Sequence, residues 1–426
     1  MALTKNTSRY IIRILSFVII ISFIVEFGHA VTIAVEQGES IQSAIDKASA
    51  DDIIEIKSGN YKENIIVNKR LILQGVDSDN ARSVIINAFD HNKDLITLNA
   101  DGCIVRRLVI NSSKSNSINI LSNSNIVSDN VITGNKVCIN LEKANLNSLS
   151  NNTINIKGYL TSGLLLKDSI GNIIQNNEII IKGITGDGIE LINSLDNVII
   201  DNMIIGKVWI GGTGITIYHS DNNHIYYNRI RTAGLWGSCI YIKKSANNSV
   251  YDNNIEHCDF SGSGLTLYMA YNTSIMDNKA KGNGKLNCAS IFLRHSENNN
   301  ISDNEVIGTG RYGSGICLIY SDNNRLDNNA ASNSTYGIYL YGSDSNIINE
   351  NIAKYNSEGD IYLDFYSPRN QIIGNKGDIT IVFPRHNIIK DNIGQIRTMY
   401  ENPMPDDLPL FTLSDIADLF ILIFGF

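Results

Sequence analysis

Between residues 209 and 312 the chain carries both of its tryptophans together with tyrosines, cations and imidazoles at a near-constant interval. Tyr218, Lys243, Tyr268 and Arg294 follow one another at 25, 25 and 26 residues. His219, Lys244 and His295 each stand one place later, and Tyr241 stands two places before Lys243. Trp209, Trp236, Phe260 and Tyr312 come shortly before these positions, in Gly-rich stretches. Flat rings beside cations are what an acidic sugar polymer needs, the rings for stacking and the cations for its carboxylates. Asp252, Asp277 and Asp303 recur at the same interval, and a file of carboxylates can hold Ca²⁺. All of this depends on an architecture that lays successive repeats over one another.

The repeat itself predicts that architecture. From about residue 95 a phrase Gly-Ile-x-Leu-x-x-Ser is followed by Asn-x-φ-x-x-Asn, where φ is apolar. Its first apolar residues are Ile96, Ile118, Ile139, Leu164, Ile189, Ile215, Ile240, Leu265, Ile291, Ile316, Ile338, Ile361 and Ile379, at spacings of 18 to 26. A column of Asn runs in step, from Asn130 through Asn202, Asn228 and Asn253 to Asn392. Each has another Asn five residues earlier, except Asn278, which has Thr273. Within a phrase the apolar residues alternate (Ile215, Ile217; Ile240, Ile242), so one strand face is buried. No helical segment separates the strands, which excludes a βαβ sheet. Coiling the chain so that each period stacks on the last pairs every strand edge and buries one continuous interior. The expectation is an all-β, single-stranded, right-handed parallel β-helix of about 15 coils, on the order of 70 Å long. Asn suits the bends, because it tolerates the left-handed conformation and its amide can bond backbone above and below. Gly before the anchor (Gly163, Gly188, Gly214) reads as a tight entry bend.

The ends depart from the repeat. Lys5, Arg9 and Arg13, the apolar run Ile14–Val25 and Gly28-His29-Ala30 read as an export signal over 1–30. Residues 31–95 hold the N-terminal cap and first coils, where Ile41, Ala44, Ile45 and Ala48 lie at helical spacing. The coils proper span 96–393. Residues 394–426 form a linker and capping segment, in which Ser414 caps a helix with Ile416, Leu419, Phe420 and Ile423 on one face. Its final apolar run is too short to span a bilayer, so no membrane span is expected in the mature chain. All five prolines lie at or beyond position 368, leaving the strand ladders uninterrupted before it. A net charge of −8 argues against nucleic acid as a partner. The six cysteines form no CxxC pair and read as buried thiols, with Cys258 and Cys288 as a potential staple.

The opening Gln42-x-x-Ile45…Asp52-x-Ile54-x-Ile56-x-x-Gly59-x-Tyr61-x-Glu63, followed by Lys69-x-Leu71-x-Leu73-x-Gly75, resembles the first coils of pectin-lyase-like β-helix proteins. It is most similar to their NosD-like branch of carbohydrate-binding and sugar-hydrolase repeats. The resemblance covers roughly 32–393 and implies an exported protein, secreted, at the cell surface or periplasmic. It does not choose among lyases, hydrolases, esterases, epimerases, adhesins and a copper-enzyme maturation factor. Copper finds little support in the residues, since there is no His-x-x-x-His cluster and no Met-rich run.

Positions one and three after the anchor point away from the core. With the position after them (His219, Lys244, His295) and the Gly-rich loops that lead in, they set out the surface on which Trp209, Tyr218, Trp236, Tyr241, Lys244, Phe260, Tyr268, His295 and Tyr312 are expected to bind polysaccharide. Hydrolysis needs two carboxylates within about 10 Å. Glu190 alone qualifies on the central outward positions, so hydrolysis is disfavoured there. Uronate elimination or epimerisation needs a base beside a cationic clamp, with Lys243 or His219 as base and Arg294 or Lys244 as clamp. A purely structural or adhesive rod needs neither. No cofactor is required by any of these readings.

Overall fold

The computed structural model describes residues 30–400, apart from 77–82, 113, 287, 365, 384 and 385. The expected export signal and the last capping helix lie outside the described residues. Three stacks of parallel strands run the length of a coil. Sheet 1 contains sixteen short strands, from Thr32–Val35 to Ile388–Lys390. Sheet 2 follows it in each turn (Arg229–Gly234, Asn254–Asp259) and sheet 3 carries the anchors (Ile215–Tyr218, Ser238–Lys243, Ser263–Tyr268). One strand, Glu178–Ile192, runs unbroken from sheet 2 into sheet 3. The expected anchors pair in register along sheet 3, Ile189 with Ile215, then Ile240, Leu265, Ile291 and Ile316. These side chains are buried in one core that extends from Val35 to Ile381.

Two Asn files cross the coils at the corners of sheet 1. Asn228 is representative. Its backbone N–H and its Nδ2 donate to Oδ1 of Asn253, at 2.9 and 3.1 Å, and its Nδ2 also reaches the carbonyls of Ile199 and Tyr226. Its own Oδ1 accepts from the N–H and Nδ2 of Asn202. A Ser file turns the preceding corner, with the N–H of Ser194 donating to Ser220 Oγ and that of Ser220 to Ser245 Oγ. Polar corners can therefore be buried without an unpaired donor, at sites where an apolar side chain would leave backbone groups unbonded.

The structure corrects two expectations about the bends. The left-handed residue is the one before the column Asn (Asp201, Tyr227, Asp252, Asp277, Asp303), with φ between 54° and 58°, while the Asn does the bonding. The glycines before the anchors are not left-handed either. They are required by close approach: a Cβ on Gly214 would lie 2.6 Å from the carbonyl oxygen of Cys239, and one on Gly188 would lie 2.5 Å from that of Gly214.

The expected N-terminal cap is the helix Ile41–Lys47, which buries Ile41, Ala44 and Ile45. Ser40 Oγ accepts the N–H of Ser43, and the Glu63 carboxylate accepts the N–H groups of Ile41 and Gln42. The Tyr61 hydroxyl donates to the Lys57 carbonyl at 2.7 Å. The Tyr-x-Glu pair thus ties the cap to the coil beneath it. All six cysteines are free, so Cys258 and Cys288 form no staple. Among the described residues no helix is long and apolar enough to cross a membrane.

Replacing Asn228 with Ala removes a buried amide, takes the Oδ1 acceptor from the N–H of Asn202 and takes one donor each from the carbonyls of Ile199 and Tyr226, the latter still accepting the Asp201 N–H. A loss of about 3 kcal/mol is expected in urea unfolding, with faster hydrogen exchange at Asn202. A loss below about 1 kcal/mol contradicts the load assigned to the ladder.

Candidate functional site

The outer face of sheet 3 is built by the pleat. With anchor and anchor +2 held in the core, anchor +1 and +3 are forced outward, and register places each above its equivalent. The +3 column forms a cation–aromatic ladder. Lys243 Nζ lies 5.9 Å from the Tyr218 ring centre and 5.4 Å from that of Tyr268, and the Arg294 guanidinium is 5.9 Å from Tyr268 on the other side. Lys244 Nζ is also 5.9 Å from Tyr218. Each such contact contributes about 0.5–1 kcal/mol where partly exposed.

The ladder turns the corner through the imidazoles. His219 meets Tyr218 edge-on at 4.2 Å, and Tyr268 contacts His295 at 6.2 Å. His295 stacks on Tyr320 at 5.4 Å, and Tyr320 leads to Tyr341 and Tyr366. His219, Lys244, His295 and Tyr320 all have left-handed φ, near 48°, which swings their side chains along the outside of the corner. The structure therefore brings together seven of the expected residues: Tyr218, His219, Lys243, Lys244, Tyr268, Arg294 and His295. Tyr320, four places after Ile316 like His219, Lys244 and His295 after their anchors, and Tyr366, five places after Ile361, join them unforeseen.

Tyr241 stands one column over, in register between Thr216 and Thr266. Trp209, 68% exposed, lies on the strand Met203–Gly211, an outward extension of sheet 2. Trp236 pairs with it through backbone, its N–H donating to the Ile210 carbonyl. Phe260 is exposed on the following loop, and Tyr312 is covered by Arg311 at 5.1 Å. Among the described residues Trp209, Trp236 and Phe260 make no ring contact with the ladder. Further along, the +1 column closes on itself: Phe292, Cys317, Tyr339 and Tyr362 form a second apolar cluster and are buried.

Sequence reasoning missed an acid. Asp187 lies two places before its anchor, where strict alternation would turn it inward, yet with the register unchanged through Gly188 its carboxylate reaches Thr216 on the outer face. Thr216 Oγ1 donates to its Oδ2 at 2.9 Å and the Thr213 N–H to its Oδ1 at 3.0 Å. Glu190 is its neighbour and accepts from Ser162 Oγ at 2.7 Å. Burial first, and the Glu190 charge second, push Asp187 up to about 7, while burial raises Glu190 as well. The outward face therefore holds an acid pair after all. The expectation that Glu190 stands alone is corrected. The signal present in the sequence was Gly186-Asp187-Gly188, a kink-prone setting for a carboxylate three residues from Glu190.

Asp252, Asp277 and Asp303 stand in file as expected, but as bend residues, and Asp303 accepts from the Asn328 amide. Among the described residues no three His, Cys, Asp or Glu side chains converge to hold a metal, so the Ca²⁺ expectation finds no site.

The architecture defines a parallel β-helix repeat protein. Residues 54–254 and 237–376 match the family described as periplasmic copper-binding protein (NosD), and the chain belongs to that family. No curated protein sequence matches the chain. Solved structures similar to it include the A-module of the mannuronan C-5 epimerase AlgE4 of Azotobacter vinelandii, at 14% identity and a TM-score of 0.32, over 85% of this chain and 93% of that one. The catalytic domain of a GH87 alpha-1,3-glucanase gives 14% and 0.36, over 87% and 66%. The periplasmic alginate epimerase AlgG gives 12% and 0.35, over 86% and 83%. Likeness at this level carries no site residue across.

The copper of the family description does not fit the residues present. Burial pushes the thiols of Cys138, Cys239 and Cys317 up to about 12 and raises those of Cys103, Cys258 and Cys288, so none is poised as a thiolate ligand. The nearest soft grouping, His257 with Cys239, is bridged by Thr232, whose hydroxyl lies 2.9 Å from Nδ1 and 3.2 Å from the sulfur.

The acid pair predicts a pH signature. The unfolded Asp titrates near 3.9, about three units below its folded value. Between those values the folded protein holds a proton that the unfolded chain releases, so its stability falls as pH rises from about 4 to about 7. Asp187→Asn should be more stable than the parent at pH 8, by about 1–3 kcal/mol, with the gap closing towards pH 4. A gap independent of pH would show that Asp187 is not held protonated.

Proposed function

We propose that the protein binds an extended polysaccharide lengthwise along the outer face of sheet 3, between the coils of Ile189 and Ile316. The observation that supports this reading is the ladder Tyr218–Lys243–Tyr268–Arg294, which repeats ring and cation coil after coil on a rigid surface. A regularly spaced polymer meets a regularly spaced surface, so contacts of modest strength add along the chain. The cations favour an acidic glycan, and ring faces accept the apolar faces of sugars. Trp209 and Trp236 would flank the bound chain from the sheet 2 side. Export to the cell surface or periplasm belongs to the same reading.

Retention on a panel of acidic and neutral polysaccharides tests it. Lys243→Ala and Tyr268→Ala should each weaken retention of an acidic glycan about tenfold, the loss of roughly 1.4 kcal/mol, and raised salt should weaken it further. Lys279→Ala, on sheet 2, should leave it unchanged. If no glycan is retained by the parent, the surface is that of a structural or adhesive rod.

Asp187 and Glu190 favour a second reading, acid–base chemistry on the bound chain. A carboxyl that keeps its proton near neutrality can protonate a leaving oxygen, while an ionised neighbour serves as base or nucleophile. Elimination or epimerisation of a uronate, with Lys243 or His219 as base and Arg294 as clamp, is the alternative route. New reducing ends lost in Asp187→Asn and Glu190→Gln would support hydrolysis by the pair. Unsaturated uronate lost in Lys243→Ala, His219→Ala or Arg294→Ala would support elimination, and uronate inversion without cleavage, lost in the same variants, would support epimerisation. A retained polymer that stays unchanged by all three measures leaves a binder.

A further inference from the structure

The two ends of the coil differ. At the start the helix Ile41–Lys47 covers the core. At the far end Ile388–Lys390 and Ile396–Met399 have, among the described residues, a strand neighbour on one side only. In the inward file of sheet 3, Ile361 and Ile379 are buried, whereas Ile396 is 52% exposed. Both Asn ladders end here too. Asn370 and Asn375 donate to Asn387 and Asn392, which are only half-buried and have no amide above them among the described residues. An open core rimmed by unpaired strand edges invites association unless something covers it.

We propose that residues 401–426 of the same chain dock on this face and close it. Four sequence features fit them to it. First, Ile416, Leu419, Phe420 and Ile423 repeat the spacing of Ile41, Ala44, Ile45 and Ala48, the apolar face of the cap at the other end. Second, Ser414 precedes that face as Ser40, the observed N-cap, precedes its own. Third, the segment carries five acids (Glu401, Asp406, Asp407, Asp415, Asp418) and no Lys or Arg. The rim it would meet presents exposed Lys376 and Arg397, while its Lys390 pairs with Asp391 at 3.7 Å. Fourth, the fourteen residue steps from Tyr400 to Ser414 reach about 45 Å when extended, ample to return across one coil. A second copy docked end to end about a two-fold axis would instead oppose the Arg397 of one chain to that of the other, which costs energy at close range.

Hydrogen exchange and sedimentation equilibrium test the proposal on the full chain and on the same chain carrying Leu419→Asp and Phe420→Asp. Exchange at Ile396–Met399 should be at least tenfold slower in the parent. The parent should sediment as a monomer and the variant should self-associate with rising concentration. Unchanged exchange at Asn228 in both chains establishes that the coil itself is folded. Equal exchange at Ile396–Met399 in the two chains overturns the proposal. So does a parent dimer whose dissociation on dilution releases that protection, because the occupant is then a second copy.

Discussion

Everything in this molecule depends on the vertical alignment of buried amides. A parallel coil must turn corners inside a close-packed stack, where backbone groups at each corner are cut off from water and must find partners. The Asn ladders meet that demand by satisfying each corner from the coil above, with Oδ1 of one Asn accepting both donors of the Asn before it. A slip of one residue would break the amide file and turn the apolar file of sheet 3 outward together, so the two reinforce one register.

That rigidity is what makes the outer face of sheet 3 a surface with a pattern. Side chains three places after each anchor have one direction available, and stacking brings Lys243 between Tyr218 and Tyr268 without any loop to hold them. The face is graded along its length. It starts with the acid pair at Asp187 and Glu190, passes through the cation–aromatic ladder, and ends where Phe292, Cys317, Tyr339 and Tyr362 pack on each other. In that last stretch the aromatics cover one another, and in the middle they stay accessible. The membership of the NosD family gives the coil, while burial keeps the Cys239 thiol protonated and the Thr232 hydroxyl lies between it and His257 Nδ1.

The fold was legible because its signals are periodic. Ile215, Ile240 and Leu265 announce their register by spacing, and Asn202, Asn228 and Asn253 stand in the file their spacing implies. The division of labour at the corner was not legible. Asp201, Tyr227 and Asp252 take the left-handed backbone so that the adjacent Asn can point inward, and nothing in an Asp-Asn or Tyr-Asn pair says which residue does which. The glycines were read for the wrong property. Gly214 is small because the carbonyl of Cys239, 25 residues later in sequence, lies directly against it.

The amino-acid sequence by itself determined the period, the inward files, the N-terminal cap and the set of residues on the outward face, because each follows from local alternation repeated at a fixed interval. Only the tertiary structure decided which of those outward residues meet. Asp187 reaches Thr216 and Glu190 from the stretch that leads into its anchor, where strict alternation would turn it inward, and His295 reaches Tyr320 because both corners are left-handed. Such meetings depend on departures from the regular pleat and on contacts between successive coils, and a rule built on alternation within one strand contains neither.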